Sequence, residues 1–357
     1  FPFELTKEIA EENGLGIDEN GFKKAMQEQK DRAKAAAEKI SVTGDMKYAK
    51  VENEVGSTEF VGYLVDCAQA KILAAIEGEG YTDIVLDRTP FYAECGGQVG
   101  DSGYIVNENL KAEVLTTFKV NHLFVHRCQV VNGEVKVGDY AFAQIDSARR
   151  AQIRVHHTSA HLLQAALIKV LGDEVKQAGS QVEDNRMRFD FTFSRAMTPQ
   201  EVKKTEDIMN KWIGEKLPVN TDVMGIEEAK LTGATALFGE KYEDVVRVVS
   251  IGGKAKCNCG SDCSCDHESG EEKEVISKEF CAGTHASNTA DLRLVKIVSE
   301  GAIAAGTRRI EAVVADAAID YLNAKSAEID KLASRFKVHF DEVESRIEKL
   351  LEENKEL

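Results

Sequence analysis

Two short stretches of this sequence carry side chains with the types and spacing of a metal-binding set. In His157-Thr158-Ser159-Ala160-His161 two imidazoles sit four residues apart at the start of a predicted helix, which stacks them on one face. Cys281-Ala282-Gly283-Thr284-His285 repeats that interval around a glycine that lets the backbone turn sharply. Three nitrogens and one sulfur suit Zn²⁺, and the wide separation of the pairs requires a site assembled by tertiary folding rather than a zinc-finger knuckle. An isolated HxxxH reads equally as two unrelated histidines at a helix start, so it is the second pair that gives the first its meaning. If all four ligands bind at once, no tetrahedral position remains for water, and water activation requires five-coordination or loss of a ligand.

The elements that must position these groups follow from the residue pattern. Residues 4–40 read as helical, with Asp18 capping a segment rich in Ala, Gln, Glu and Lys after a turn at Gly14-Leu15-Gly16; polar faces make it a connector. From 45 to 145 short β-branched and aromatic runs alternate with turns, as in Phe60-Val61-Gly62-Tyr63-Leu64-Val65, and predict a small β-barrel. Asp146-Ser147 is a helix start, and an apolar helix over 153–171 ends at Gly172. A strand over 186–191, a helix over 198–215 and strands near 219–224 and 245–251 then predict an α+β layer. From Ala315 onward Ile319, Leu322, Ile329, Leu332, Phe336 and Phe340 keep a helical period and predict the start of a long helical arm. The predicted fold class is thus α+β: a helical connector over 1–44, a β-barrel over 45–145, an α+β zinc-dependent core over 146–314 and a C-terminal long helix over 315–357.

The chain has 357 residues, 43% hydrophobic and 30% charged, which excludes a disordered or collagen-like chain. Its net charge of −16 is the opposite of a non-specific nucleic-acid binder's, so a nucleic acid must be met by local basic patches. Arg149, Arg150 and Arg154 before the histidine pair, and Arg308 and Arg309 after the small-residue run 302–307, are candidate phosphate contacts; the plainer reading is surface salt bridging. No window suits a membrane span or a signal peptide, which predicts a cytoplasmic chain with no membrane partner. A start at Phe1 and a stop within a charged helical pattern suggest a piece of a longer protein. Four of the eight cysteines fall between 257 and 265. That cluster, with His267, could hold a second metal, but the charged run 268–274 behind it favours a solvated surface insertion. Cys67, Cys95 and Cys128 read as core or inert thiols. Neither a phosphate-binding P-loop nor a G-x-G-x-x-G turn is present, so no nucleotide site is expected.

Five motifs in order make the chain recognisable along essentially its whole length. His157-Thr158-Ser159-Ala160-His161, Val175-Lys176-Gln177-Ala178-Gly179-Ser180, Phe280-Cys281-Ala282-Gly283-Thr284-His285 and Ile303-Ala304-Ala305-Gly306-Thr307-Arg308-Arg309-Ile310-Glu311-Ala312-Val313 resemble the editing domain of the alanyl-tRNA synthetase family. Pro90-Phe91-Tyr92-Ala93-Glu94-Cys95-Gly96-Gly97-Gln98-Val99-Gly100-Asp101 is similar to the GGQ loop of that family's β-barrel subdomain. The resemblance implies Zn²⁺-dependent hydrolysis of the ester that joins serine or glycine to alanine tRNA. It implies metal ligands at His157, His161, Cys281 and His285, an active-site glutamine at Gln177 in a turn after the helix, and Gln98 near the amino-acid pocket. The fourth position of the first motif, often threonine in the family, is Ala160 here; Thr158 and Ser159 supply hydroxyls instead, and Thr158 is the one expected at the substrate. The metal could equally hold the substrate's amino group. It further implies tRNA as the partner, ATP-driven alanine activation by a domain outside these residues, and oligomerisation through the C-terminal part of the parent chain. A pocket selecting alanine rejects glycine and serine only weakly, so a second hydrolytic site is needed; that site can refuse alanine if serine's hydroxyl satisfies polar groups otherwise left unpaired. A free-standing deacylase acting in trans and a non-catalytic tRNA-binding segment with structural zinc are the alternatives.

Overall fold

In the computed structural model the described residues are 15–16, 18–19, 21–22, 24, 47–236, 242–256 and 268–356. They belong to two units, Phe1–Thr58 with Val120–Leu123, and Glu59–Lys119 with Phe124–Leu357. The connector expected over 1–44 lies almost wholly outside the described residues. At Asp18 the expected cap is present: its carboxylate accepts from the Gly21 N–H at 2.8 Å. Residues 47–55, expected within the barrel, are helical. In the same unit, the Asn121 side-chain amide and the His122 N–H donate to the Glu52 carboxylate at 3.0 and 3.2 Å.

In the second unit, β1 (Glu59–Phe60) pairs in parallel with β4 (Arg88–Thr89). Strands β2 (Cys67–Glu77), β3 (Thr82–Leu86), β5 (Gly103–Asn107), β6 (Leu110–Val120), β7 (Leu123–Gly133) and β8 (Tyr140–Ile145) close a barrel in the order β2-β3-β7-β6-β5-β8. Its interior is set by period-two alternation: Ala141, Ala143 and Ile145 of β8 face inward while Tyr140 and Phe142 face out. Ala70, Ala112, Ala141 and Ala143 interleave with Ile72, Ile84, Leu86 and Ile105, so side chains fill a small barrel completely.

A histidine is among the polar groups buried there. His126 Nδ1 lies 2.9 Å from the Ile84 carbonyl and Nε2 2.7 Å from Thr89 Oγ1, which accepts in turn from the Phe91 N–H. The ring is therefore neutral, donating at Nδ1 and accepting at Nε2, and burial lowers its pKa from 6.5 to about 4. Between those values the unfolded chain binds a proton that the folded chain refuses. The stability the ring contributes is thus full above pH 6.5 and is lost as the pH falls towards 4, by about 3 kcal/mol. Urea unfolding across that window is expected to show a steeper loss for the parent than for a His126→Gln variant; parallel curves would show that the ring titrates normally.

The remainder of this unit wraps around one helix. α1 (Ser147–Leu171) is capped by Asp146, whose carboxylate accepts from the Arg149 N–H, and stops at Gly172. The helix starts at the expected Asp146-Ser147, and His157 and His161 lie in its middle rather than at its start. β9 (Gln177–Val182), β10 (Met187–Thr192), α2 (Pro199–Gly214), β11 (Val219–Gly225), α3 (Ile226–Leu231), β12 (Val245–Lys256), β13 (Glu268–Phe280), β14 (Val295–Ala304) and β15 (Thr307–Val314) follow. They form a sheet in the order β14-β15-β10-β9 and a second in the order β11-β12-β13. Leu162, Leu163 and Leu167 of α1 share one core with Phe189, Phe191, Trp212, Val249, Ile251 and Ile310, so sheets and α2 together enclose α1.

Two expectations need correction. The charged run 268–274 is no loop: it begins β13 and pairs with β12, with Gly253 opposite Lys273 and Ala255 opposite Ser269. The cluster 257–267 lies outside the described residues. The arm expected as one helix is two, α4 (Asp316–Phe336) and α5 (Val343–Glu356), broken at Lys337. Lys337 adopts a left-handed conformation (φ 56°), and the Val338 N–H closes on the Ala333 carbonyl at 3.1 Å, a helix-stop motif formed without glycine. No helix among the described residues is long and apolar enough to cross a membrane.

Candidate metal centre

The long-range folding that the two pairs require is present. His157 and His161 project from one face of α1, and Cys281 and His285 lie in the loop leaving β13. The imidazole of His285 is centred 4.3 Å from that of His157 and 4.8 Å from that of His161. Ligand atoms of all four residues lie within 4.8 Å of one another, and Cys281 Sγ is 3.4 Å from His157 Nε2 and 3.2 Å from His285 Nε2. With metal–sulfur and metal–nitrogen bonds of about 2.3 and 2.0 Å, a tetrahedral S···N edge is about 3.5 Å, so the cluster can hold a metal ion.

Each imidazole is also fixed from behind. Gln98 Oε1 is 2.8 Å from His157 Nδ1 and accepts from the Thr284 N–H at 2.9 Å, while Gln98 Nε2 donates to Thr284 Oγ1 at 3.0 Å. Thr158 Oγ1 donates to the Arg154 carbonyl, accepts from the Ala286 N–H at 3.0 Å and stands 3.2 Å from His285 Nδ1. Glu279 Oε2 makes an ion-pair contact with His161 Nδ1 at 3.2 Å. The Nδ1 atoms of His157 and His285 thus meet side-chain oxygens outward, and that of His161 faces the Glu279 carboxylate without a formed hydrogen bond, so each ring turns its Nε2 towards the centre. Burial opposes the Cys281 thiolate, but the neighbouring His157 and His285 rings outweigh it and hold the thiol well below its usual range; burial and then His157 push His285 down. Both shifts favour the deprotonated forms that ligation needs.

Close approach explains two glycines. A Cβ on Gly283 would lie 2.0 Å from His157 Cε1, so only glycine lets this loop pass the imidazole. Gly97, at φ 80°, would collide at 2.5 Å with the Ser180 carbonyl. There the GGQ loop pairs with β9: the Val182 N–H donates to the Gly97 carbonyl and the Val99 N–H to that of Val182. The barrel thereby delivers Gln98 to the histidines.

The centre opens on a cavity of about 510 Å³ whose wall includes His157, His161, Cys281, Gly96 and Gln177. Gln177 is the first residue of β9 rather than part of a turn, because the Thr192 N–H and Lys176 carbonyl already join the two strands there. Gln98 and Thr158 stand behind the ligands and not on this wall. Of the five arginines, Arg150 is fully buried, bonded to the Asp101 carboxylate and to the Gly62 and Pro90 carbonyls, so no phosphate can reach it. Arg308 and Arg309 form two-pronged pairs with Glu300 and Asp190. Arg149 donates to the Gly100 carbonyl and faces Asp184 at 3.6 Å. Arg154 faces Asp66 at 3.9 Å, its one ion pair among the described residues, and lines a second cavity of about 550 Å³. Three supporting residues carry no motif: Glu279, and Tyr63 and Arg247. The Tyr63 hydroxyl donates to the Ala282 carbonyl, Arg247 donates to the Cys281 and Gly283 carbonyls, and the guanidinium lies 4.2 Å from the Tyr63 ring centre. No local pattern marks them: Tyr63 lies in a turn after β1, Arg247 between two valines of β12 and Glu279 among the charges of β13.

The family model for class II (A) tRNA synthetases matches residues 1–149, and the model for the threonyl and alanyl tRNA synthetase second additional domain matches residues 246–311. A barrel loop that reaches into a His₃Cys centre, with these two matches, places the chain among the class II aminoacyl-tRNA synthetases. Alanine–tRNA ligases narrow this further: the chain is 42% identical to that of Synechococcus sp. (strain JA-3-3Ab) over 99% of its own length. It is 41% identical to those of Acaryochloris marina and Synechocystis sp., over 97% and 99% of the chain. The chain belongs to the alanyl-tRNA synthetase family, and spans 39%, 38% and 39% of the length of these relatives.

Proposed function

We propose that these residues form the editing region of an alanine–tRNA ligase, hydrolysing the ester of Ser-tRNA(Ala) and Gly-tRNA(Ala), with Zn²⁺ on His157, His161, Cys281 and His285. The observation that carries the reading is the meeting of four convergent ligand atoms with an open cavity: a purely structural zinc has no need of one. When bound, the ion would supply a Lewis acid beside the ester or a hold on the amino group. Gln177, on the cavity wall, orients the ester or the incoming water through its neutral amide without competing for the metal. Gln98 and Thr158 are positioning residues, each fixing which nitrogen of one histidine faces the centre. Arg154 is the arginine best placed to meet tRNA phosphate, and the whole ligase is a cytoplasmic, tRNA-binding enzyme.

The test is deacylation of purified Ser-tRNA(Ala), with Ala-tRNA(Ala) as control. The chain is expected to hydrolyse the first and spare the second, and to show no alanine-dependent ATP–pyrophosphate exchange. Identical, uncatalysed decay of both esters would overturn the reading.

A further inference from the structure

Two residues on the wall of this cavity, His161 and Gln164, carry a buried side-chain atom with no hydrogen-bond partner among the described residues: His161 Nδ1, which faces the Glu279 carboxylate, and Gln164 Oε1, which faces no such group. Gln164 follows His161 by three residues on α1 and lines the cavity with His157, Ala160 and His161. Its side chain is 7% exposed, and its Oε1 is closed to solvent with no hydrogen-bond partner among the described residues. A buried amide oxygen left without a donor is costly, and the remedy is a ligand that brings one. The position restricts the ligand: Gln164 lies about 4.5 Å along the helix axis from His161, beyond the cluster and on the same helical face.

We infer that Gln164 is the specificity-determining residue for serine, its Oε1 accepting the hydrogen of the substrate's side-chain hydroxyl. This rests on the editing reading above and gives it the missing discrimination. Serine supplies the donor and satisfies the amide. Alanine fills nearly the same volume but leaves Oε1 unpaired, so a site built to hydrogen-bond the hydroxyl rejects the amino acid that must be spared. Ala160, with no polar atom of its own on this stretch of wall, leaves the role to Gln164. Glycine makes no use of the contact, so its hydrolysis does not depend on Gln164.

The experiment is single-turnover deacylation of Ser-, Gly- and Ala-tRNA(Ala) by the parent chain and by Gln164→Met, which keeps the volume and removes the acceptor. Ser-tRNA hydrolysis is expected to slow by about 10- to 100-fold, the fold-change corresponding to one lost buried hydrogen bond, with Gly-tRNA hydrolysis within about 2-fold of the parent. The ratio of serine to alanine rates is expected to collapse by a similar factor. Gln164→Leu is the second variant and is expected to give the same pattern. An equal loss on serine and glycine, or no loss on serine, in both variants overturns the role of Gln164 while leaving the editing reading intact. Failure of the parent to hydrolyse either mischarged tRNA overturns both.

Discussion

Replacing Cys281 and His285 together by alanine is expected to abolish binding of about one zinc ion per chain and to slow Ser-tRNA(Ala) hydrolysis by about three orders of magnitude, with the fold retained. The reasoning starts from the ligand set. Two of four donors are removed, including the only sulfur, and the remaining pair on α1 cannot enclose an ion. The rate follows because a metal's stabilisation of developing charge is worth several kcal/mol, and each 1.36 kcal/mol is about tenfold. The fold survives because α1 is held by the apolar cluster of Leu162, Leu163, Phe189, Phe191 and Ile310, independently of the centre. Elemental analysis, circular dichroism and single-turnover kinetics on one preparation separate the outcomes. Loss of zinc with collapse of the fold would favour the alternative of a structural metal in a non-catalytic segment. Unchanged zinc would move the metal to the cysteine cluster at 257–265.

Why the candidate ligands were legible and their supports were not is a matter of sequence distance. Within each pair the interval is local, one helical turn in α1 and a short loop after β13, so spacing alone aligns His157 with His161 and Cys281 with His285. The bonds that orient them span 59 residues from Gln98 to His157 and 127 from Thr158 to His285, and no local pattern encodes those contacts. The resemblance to a family singled out Gln98 and Thr158, but as groups near the substrate; the fold puts them behind the rings. Glu279 gives even less signal, since one acidic residue in a strand rich in Glu and Lys has nothing to mark it. The same limit applies to fold elements. Alternation over Tyr140–Ile145 announces a barrel strand, whereas Tyr48, Val51 and Val55 repeat at helical intervals over too few residues to compete with the surrounding β texture. The break at Lys337 lacks the glycine that ordinarily marks a helix end.

The arginines show how charge misleads when partners are remote, and Arg150 gives the sharpest test. Its guanidinium, shut from solvent, meets the Asp101 carboxylate 49 residues away and the carbonyls of Gly62 and Pro90, which ties α1 to the GGQ loop and to the turn that carries Tyr63. Asp101 also accepts from the Tyr92 N–H at 2.6 Å, so the network crosses from the barrel to the helix that carries His157 and His161. Removing one member leaves a buried charge uncompensated, which costs about 3–5 kcal/mol. Arg150→Met is therefore expected to lower the melting temperature by on the order of 10 °C. Adding Asp101→Asn, which removes the orphaned charge but keeps an oxygen for the Tyr92 N–H, is expected to restore about half of that loss. A surface phosphate contact would behave in the opposite way: the single variant would melt like the parent, and its tRNA binding would weaken with a shallower dependence on salt. Thermal unfolding of the three chains, with tRNA binding measured at two ionic strengths well below the transition, decides between them; an unshifted melting temperature for Arg150→Met would return Arg150 to the nucleic-acid surface.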